Sequence, residues 1–225
     1  MIRYEYSKAL KRKIRRDDPE DLSISTWDLV RSEIKEGHIE KALDYLFYGE
    51  FEAKQMHDIL AAFPDVALTW LAKLNGEETI MKIFRERYFP RAQDFIEKIK
   101  TPEEAMYRLV EQQRAHFSSF SVTEEEERYV VVADPCGSGG RIRREKEVGV
   151  TREPHIWSWG LMGIPYYCCH CCAYFEIFPI ELRGYPIRVH EISADHYAPC
   201  VHYYYKDPKK IPERFYTRIG LRKET

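Results

Sequence analysis

Four of the six cysteines fall within five positions, Cys168-Cys169-His170-Cys171-Cys172, and only Cys136 and Cys200 lie elsewhere. The run contains two overlapping C-x-x-C pairs, Cys168 with Cys171 and Cys169 with Cys172, with His170 between them. One turn of that spacing can aim two thiolates at a tetrahedral metal, each sulfur about 2.3 Å from zinc. The pair supplies half a site. Cys136 follows a β-branched segment and Cys200 precedes another, so both are placed to complete a four-cysteine set. The expected metal ligands are therefore Cys136, Cys168, Cys171 and Cys200, with His196 able to replace either outlying thiol. Zinc is the expected ion, and iron or an iron–sulfur cluster comes second because no C-x-x-C-x-x-C run is present. Neighbouring cysteines seldom reach disulfide geometry, which favours reduced thiols. The plain alternative is packing, since free cysteine is among the most buried residue types. Four thiols in five residues is a density that packing does not require.

A second feature contains Cys136 itself. In Asp134-Pro135-Cys136-Gly137-Ser138-Gly139-Gly140-Arg141, successive glycines can let backbone N–H groups converge on an anion, and an arginine adds charge-assisted donors. Gly137, Ser138, Gly139 and Arg141 are thus expected to hold a substrate carboxylate, with Trp157 as part of an aromatic wall. The pattern matches neither a Walker A loop nor G-x-G-x-x-G, and a flexible hairpin with arginines on its return strand explains it equally. For acid–base work the nearest groups are His170 and Glu176, within or just after the cluster. Glu181, His190, Asp195, His196 and His202 stand further along the chain.

This chemistry implies a zinc-dependent hydrolase or lyase. With an open coordination position, bound water is acidified toward a pKa of about 7 and can attack a polarised bond, with Glu176 or His170 relaying the proton. The substrate class is a small anionic molecule, cyclic or aromatic in character. Two other classes remain open: a binding or regulatory module with a closed structural zinc, and a metal-free enzyme using Cys136 as nucleophile with glycine N–H groups as oxyanion donors.

The elements that must position these groups divide the chain. Residues 1–120 read as helix almost throughout. Ile39, Ala42, Leu43, Leu46 and Phe47 form one stripe of 3.6-residue period, and Met56, Ile59, Leu60 and Phe63 repeat it, as do Ala92, Phe95, Ile96 and Ile99. Such stripes are the faces expected to be buried. Phe63-Pro64 and Phe89-Pro90 are expected to break helices, giving several of roughly 8 to 16 residues. Thr101-Pro102-Glu103-Glu104 is a capping box that starts a helix running to about Phe117. After the acidic run 124–127, read as a solvated turn, Arg128–Ala133 and Val201–Tyr205 read as strands, Tyr185–His190 as extended, and a short helix begins near Pro212. Residues 121–225 are thus an α+β, Cys-rich region, and the two parts form one continuous globule: a helical half packed on a mainly antiparallel sheet.

Composition bounds the rest. The 225 residues are 44% apolar and 32% charged, with a net charge of −2, and mean hydropathy is −0.54. No stretch nears the roughly 20 apolar residues of a membrane span. The basic run Lys11–Arg16 is followed at once by Asp17 and Asp18, so neither nucleic acid nor membrane is an expected partner. The start, Met1 to Ser7, lacks the order of a secretory signal, which predicts a cytoplasmic protein. Composition leaves the oligomeric state open.

Overall fold

In a computed structural model the described residues are 4–15 and 17–223. Met1–Arg3, part of the segment read for a signal, and Arg16 of the basic run lie outside them. The chain forms two compact units, Met1–Met56 and His57–Thr225.

In the first unit, β1 (Tyr4–Ser7) and β2 (Arg12–Arg15) pair antiparallel, Tyr4 opposite Arg15. Helix α1 (Thr26–Lys35) starts where the Ser25 side chain accepts from the Trp27 N–H. Helix α2 (Ile39–Asn75) begins in this unit and continues into the second.

The second unit holds the α+β architecture. Helices α3 (Glu78–Lys98) and α4 (Pro102–Ala115) are followed by the hairpin β3 (Phe120–Glu124) and β4 (Arg128–Ala133). With β5 (Val189–Glu191) and β6 (Cys200–Tyr205) these make a four-stranded sheet of order β3-β4-β6-β5, every pairing antiparallel. The capping box at α4 is present, with Thr101 Oγ1 accepting from Glu104 N and Glu104 Oε2 accepting from Thr101 N, both at 3.1 Å. Ala105, Met106, Leu109 and Val110 of α4 lie in one apolar cluster with Val131 and Tyr204 of the sheet. A larger cluster joins α2 and α3, through Leu68, Ile80 and Phe84, to the Cys-rich segment. Among the described residues no helix is long and apolar enough to cross a membrane.

Three local readings change. Helix α2 runs through Pro64 and α3 through Pro90, so these helices have 37 and 21 residues. An interior proline costs about 3 kcal/mol, and burial on both sides of it outweighs that: Ala61, Leu68 and Ala72 flank Pro64, and Phe84 and Ala92 flank Pro90. The stripe Met56, Ile59, Leu60 and Phe63 is not a buried face, for each of these side chains is more than half exposed. The helix instead turns Ala61, Asp65, Leu68 and Ala72 inward. Finally, the glycine segment after Cys136 leads into a short helix, α5 (Gly139–Glu145), rather than a hairpin return strand.

Candidate thiol site

The Cys-rich run is helical from end to end. A 3₁₀ turn at Tyr167–Cys169 passes into α6 (His170–Cys172), a π turn at Ala173–Ile177, and α7 (Phe178–Arg183). Residues three apart share a helix face, so the two C-x-x-C pairs point different ways. Cys169 and Cys172 have no exposure and sit in the core, their sulfurs 3.4 Å from Pro165 O and 3.5 Å from Ile156 O. Cys168 and Cys171 face a cavity of about 70 Å³, and Cys136 and Cys200 line the same cavity. The four thiols singled out by spacing therefore meet one space. Among the described residues, His116, His170, His190, His202 and Arg188 also line it, and no aspartate or glutamate does.

The thiols share the cavity without metal-ligand spacing. Sulfurs on a tetrahedral zinc lie about 3.8 Å apart. Among the described residues the only three Cys, His or carboxylate donors lying within 4.8 Å of one another are Glu33, Glu36 and His38, in the N-terminal unit. There Glu33 is already engaged by Lys41 and His38, at 2.6 and 2.9 Å.

Cys171 has the most developed surroundings. His170 Nε2 is 3.6 Å from its sulfur and Arg188 Nη2 4.0 Å. His170 Nδ1 donates to Tyr167 O at 2.5 Å, which sets the tautomer and turns Nε2 toward the thiol, while Tyr88 stacks on the ring at 5.5 Å. Burial would raise the Cys171 thiol, but the imidazole of His170 beside it holds it well below the ordinary range. Burial would lower His170, and the Cys171 charge raises it instead. The two shifts run in opposite directions, the thiol held down and the imidazole up, as neighbours that favour each other's charged forms do. Burial pushes Cys168 well up and Cys200 up to about 12, and also raises Cys169 and Cys172.

Behind Cys171 stands a buried polar network. Arg188 donates from Nε to His190 Nε2 at 3.0 Å and from Nη1 to Tyr204 Oη at 2.9 Å, and its guanidinium lies 3.8 Å over the Phe175 ring. Glu176, with no exposure, accepts from His190 Nδ1, Trp159 Nε1 and Arg218 Nη2 at 2.7, 2.8 and 2.7 Å. Trp159 adopts φ 55°, the left-handed region that bulky residues avoid, and its bond to Glu176 helps hold it there. His116, also on the cavity, meets His57 Nε2 at 2.7 Å through Nδ1, and His57 Nδ1 meets Asp58 at 2.9 Å.

The other residues singled out by type fall in different places. His170, Ser138 and Gly139 line the cavity. Glu176 lies behind His190 rather than on the wall. Arg141 is committed elsewhere, to Asp58 Oδ1 at 2.5 Å and to the carbonyls of Phe117 and His116 at 3.1 and 3.2 Å. Gly137 donates its N–H to Ser118 Oγ at 2.7 Å. Trp157 stacks on His155 at 4.3 Å, and Trp159, two residues on, is the indole that lines the cavity. The glycines serve close approach: a Cβ at Gly139 would lie 2.6 Å from Cys168 Sγ, and one at Gly140 2.9 Å from Cys136 Cβ. Arg188 and His190 were legible as an i, i+2 pair on one face of an extended segment, a signal weaker than the cysteine run.

Comparisons with family models, curated proteins and solved structures return no match. The geometry defines an α+β protein with a cavity walled by thiols, imidazoles and one buried guanidinium.

Proposed function

We propose that the protein is a cysteine-dependent hydrolase acting on a small anionic molecule, with Cys171 as nucleophile and His170 as its acid–base partner. The observation that carries this is the Cys171 sulfur, set 3.6 Å from His170 Nε2 and 4.0 Å from Arg188 Nη2 on a cavity wall without a carboxylate among the described residues. Arg188 is 3% exposed and has no carboxylate partner among the described residues. A buried guanidinium is costly unless an anion faces it; the Cys171 sulfur at 4.0 Å is one such group in this reading, and a substrate carboxylate in the cavity supplies a second. Arg143, 3% exposed and 3.8 Å from the cavity-lining Cys200, is a second buried cation close behind the wall, with no partner for its Nε and Nη1 among the described residues. His202, on the same cavity, has a buried Nδ1 without a partner among the described residues, able to bond a ligand. The volume suits about five water-sized groups, hence a molecule of few atoms.

The chemistry follows from these placements. The Cys171 thiolate adds to the electrophilic carbon of a C–N or C–O bond, forming S–C. The departing nitrogen or oxygen takes the bonding pair and a proton from the His170 imidazolium. Water then attacks the same carbon, giving its proton back to His170, and S–C breaks to restore the thiolate. Arg188 orients the anionic end throughout. Cys171 is favoured over Cys136, whose sulfur has Ser138 Oγ at 3.4 Å and no imidazole within hydrogen-bond distance among the described residues.

A second reading, zinc held by Cys136, Cys168, Cys171 and Cys200, is favoured by their sharing one cavity. It requires the sulfurs to draw together.

The test compares iodoacetate with iodoacetamide on the folded protein. Free thiols react faster with the amide, whereas a cationic cavity reverses that order. Cys171 is expected to take the carboxylate reagent faster, and Arg188→Met to restore the ordinary order. If Cys171 resists both reagents, the nucleophile reading fails. Stoichiometric zinc in protein purified under reducing conditions, lost in Cys168→Ser, selects the second reading.

A further inference from the structure

Between Ile59 and Ala72, helix α2 carries apolar residues on its outward side as well as on its inward one. Its inward side presents Ala61, Leu68 and Ala72, at most 9% exposed, while Ile59, Leu60, Phe63, Val66, Trp70 and Leu74 are 54 to 73% exposed. Between Asp58 and Lys73 the only charged residue is Asp65, which is 5% exposed. An outward side as apolar as the inward one is normally covered too. Ile59, Phe63, Val66 and Trp70 follow one another at steps of four, three and four, the spacing of a seam that meets another helix.

We infer that this face of α2 is the surface on which two copies of the chain pair, helix against helix, about a two-fold axis. Three observations select a second copy. Six large side chains exposed to this degree present roughly 600 Å² or more of apolar surface, close to the roughly 800 Å² each partner of a stable complex gives up, and above the largest patch of most monomers. The four seam side chains are themselves uncharged, the nearby charge being Lys73 Nζ 5.5 Å over the Trp70 ring at one end, so the seam complements itself, as an isologous interface must. Exposed cations are also scarce along it, with Lys73 at its end, whereas a helix that lies on an anionic membrane carries a strongly basic polar side. The inference is independent of the chemistry proposed for the cavity.

Light scattering on the full-length chain, at low and at tens-of-micromolar concentration, tests it. The expected mass at the higher concentration is twice the 26.8 kDa of one chain. Phe63→Glu and Trp70→Glu, separately, are expected to weaken association by about 100-fold. Both side chains are more than half exposed, so the variants should keep the wild-type circular dichroism spectrum. Tyr107→Glu, at an exposed position on α4, should leave the dimer intact. A wild type monomeric at the higher concentration overturns the inference. So does a dimer that survives both α2 substitutions or is lost in Tyr107→Glu. A monomer that co-sediments with phosphatidylserine vesicles assigns the face to a membrane surface instead and equally overturns it.

Discussion

Glu176 Oε1 lies 2.7 Å from His190 Nδ1, and the carboxylate that makes this contact has no exposed surface. Burial would raise its pKa, but Arg218 and His190 hold it down, so it stays charged. It also fixes the His190 ring, because Nε2 is then left to accept from Arg188. Removing one partner of a buried ion pair costs about 3–5 kcal/mol. Glu176→Gln is therefore expected to lower unfolding free energy by about 3 kcal/mol in a urea titration and to slow alkylation of Cys171. A variant as stable as the wild type would show that the charge at 176 is dispensable.

The cysteines should separate by reactivity. Peptide mapping after brief iodoacetamide treatment is expected to find Cys171 modified at least tenfold faster than Cys169 or Cys172, which have no exposure and thiols raised by burial. Labelling of all cysteines at one rate, set by unfolding, would contradict the arrangement around Cys171.

Acid stability should depend on Glu77. Burial would raise this carboxyl, but hydrogen bonds from Tyr166, His155 and Arg152 hold it down at about 2, well below the ordinary glutamate value of 4.5. A folded pKa below the unfolded one contributes stability that is complete above the unfolded value and is lost as pH falls toward the folded one. Thermal unfolding from pH 5 down to about 2 should show a loss on the order of 3 kcal/mol from this group. Glu77→Gln should be less stable at pH 7 and nearly lack that portion of the slope; an unchanged slope would place the acid sensitivity elsewhere.

Gly137 supports the cavity by its lack of a side chain. A Cβ there would stand 2.0 Å from the His116 carbonyl oxygen, a backbone atom that cannot swing away. Overpacking of this kind costs about 1–3 kcal/mol, occasionally more, so Gly137→Ala is expected to lower stability by about 3 kcal/mol and to disturb His116 on the cavity. Gly76→Ala makes the contrast: nothing lies within 4 Å of its Cβ, and any cost there comes from φ +84° alone.

Local rules found the elements whose causes are local. The Thr101 capping box, the β-branched strand Arg128–Ala133 and the helix near Pro212 need only neighbours in sequence. The prolines misled because the residues that carry α2 and α3 past them are held by distant core contacts. The outward stripe of α2 misled for a related reason, since periodicity identifies an apolar face but not which of two apolar faces a fold will bury.

At the cavity the division is sharper. Residue type and spacing by themselves determined an α+β chain, a thiol-rich segment presenting Cys168 and Cys171 on one side, and an imidazole at His170 beside them. Only the tertiary structure decided that Arg141 is engaged by Asp58 and backbone carbonyls while Arg188 reaches the thiol, and that Glu176 supports His190 from behind the wall. The reason is physical: the type of a side chain sets which protons and charges it can hold, whereas burial and partners, set by pairings between distant strands and helices, decide which of those charges persist and what they face.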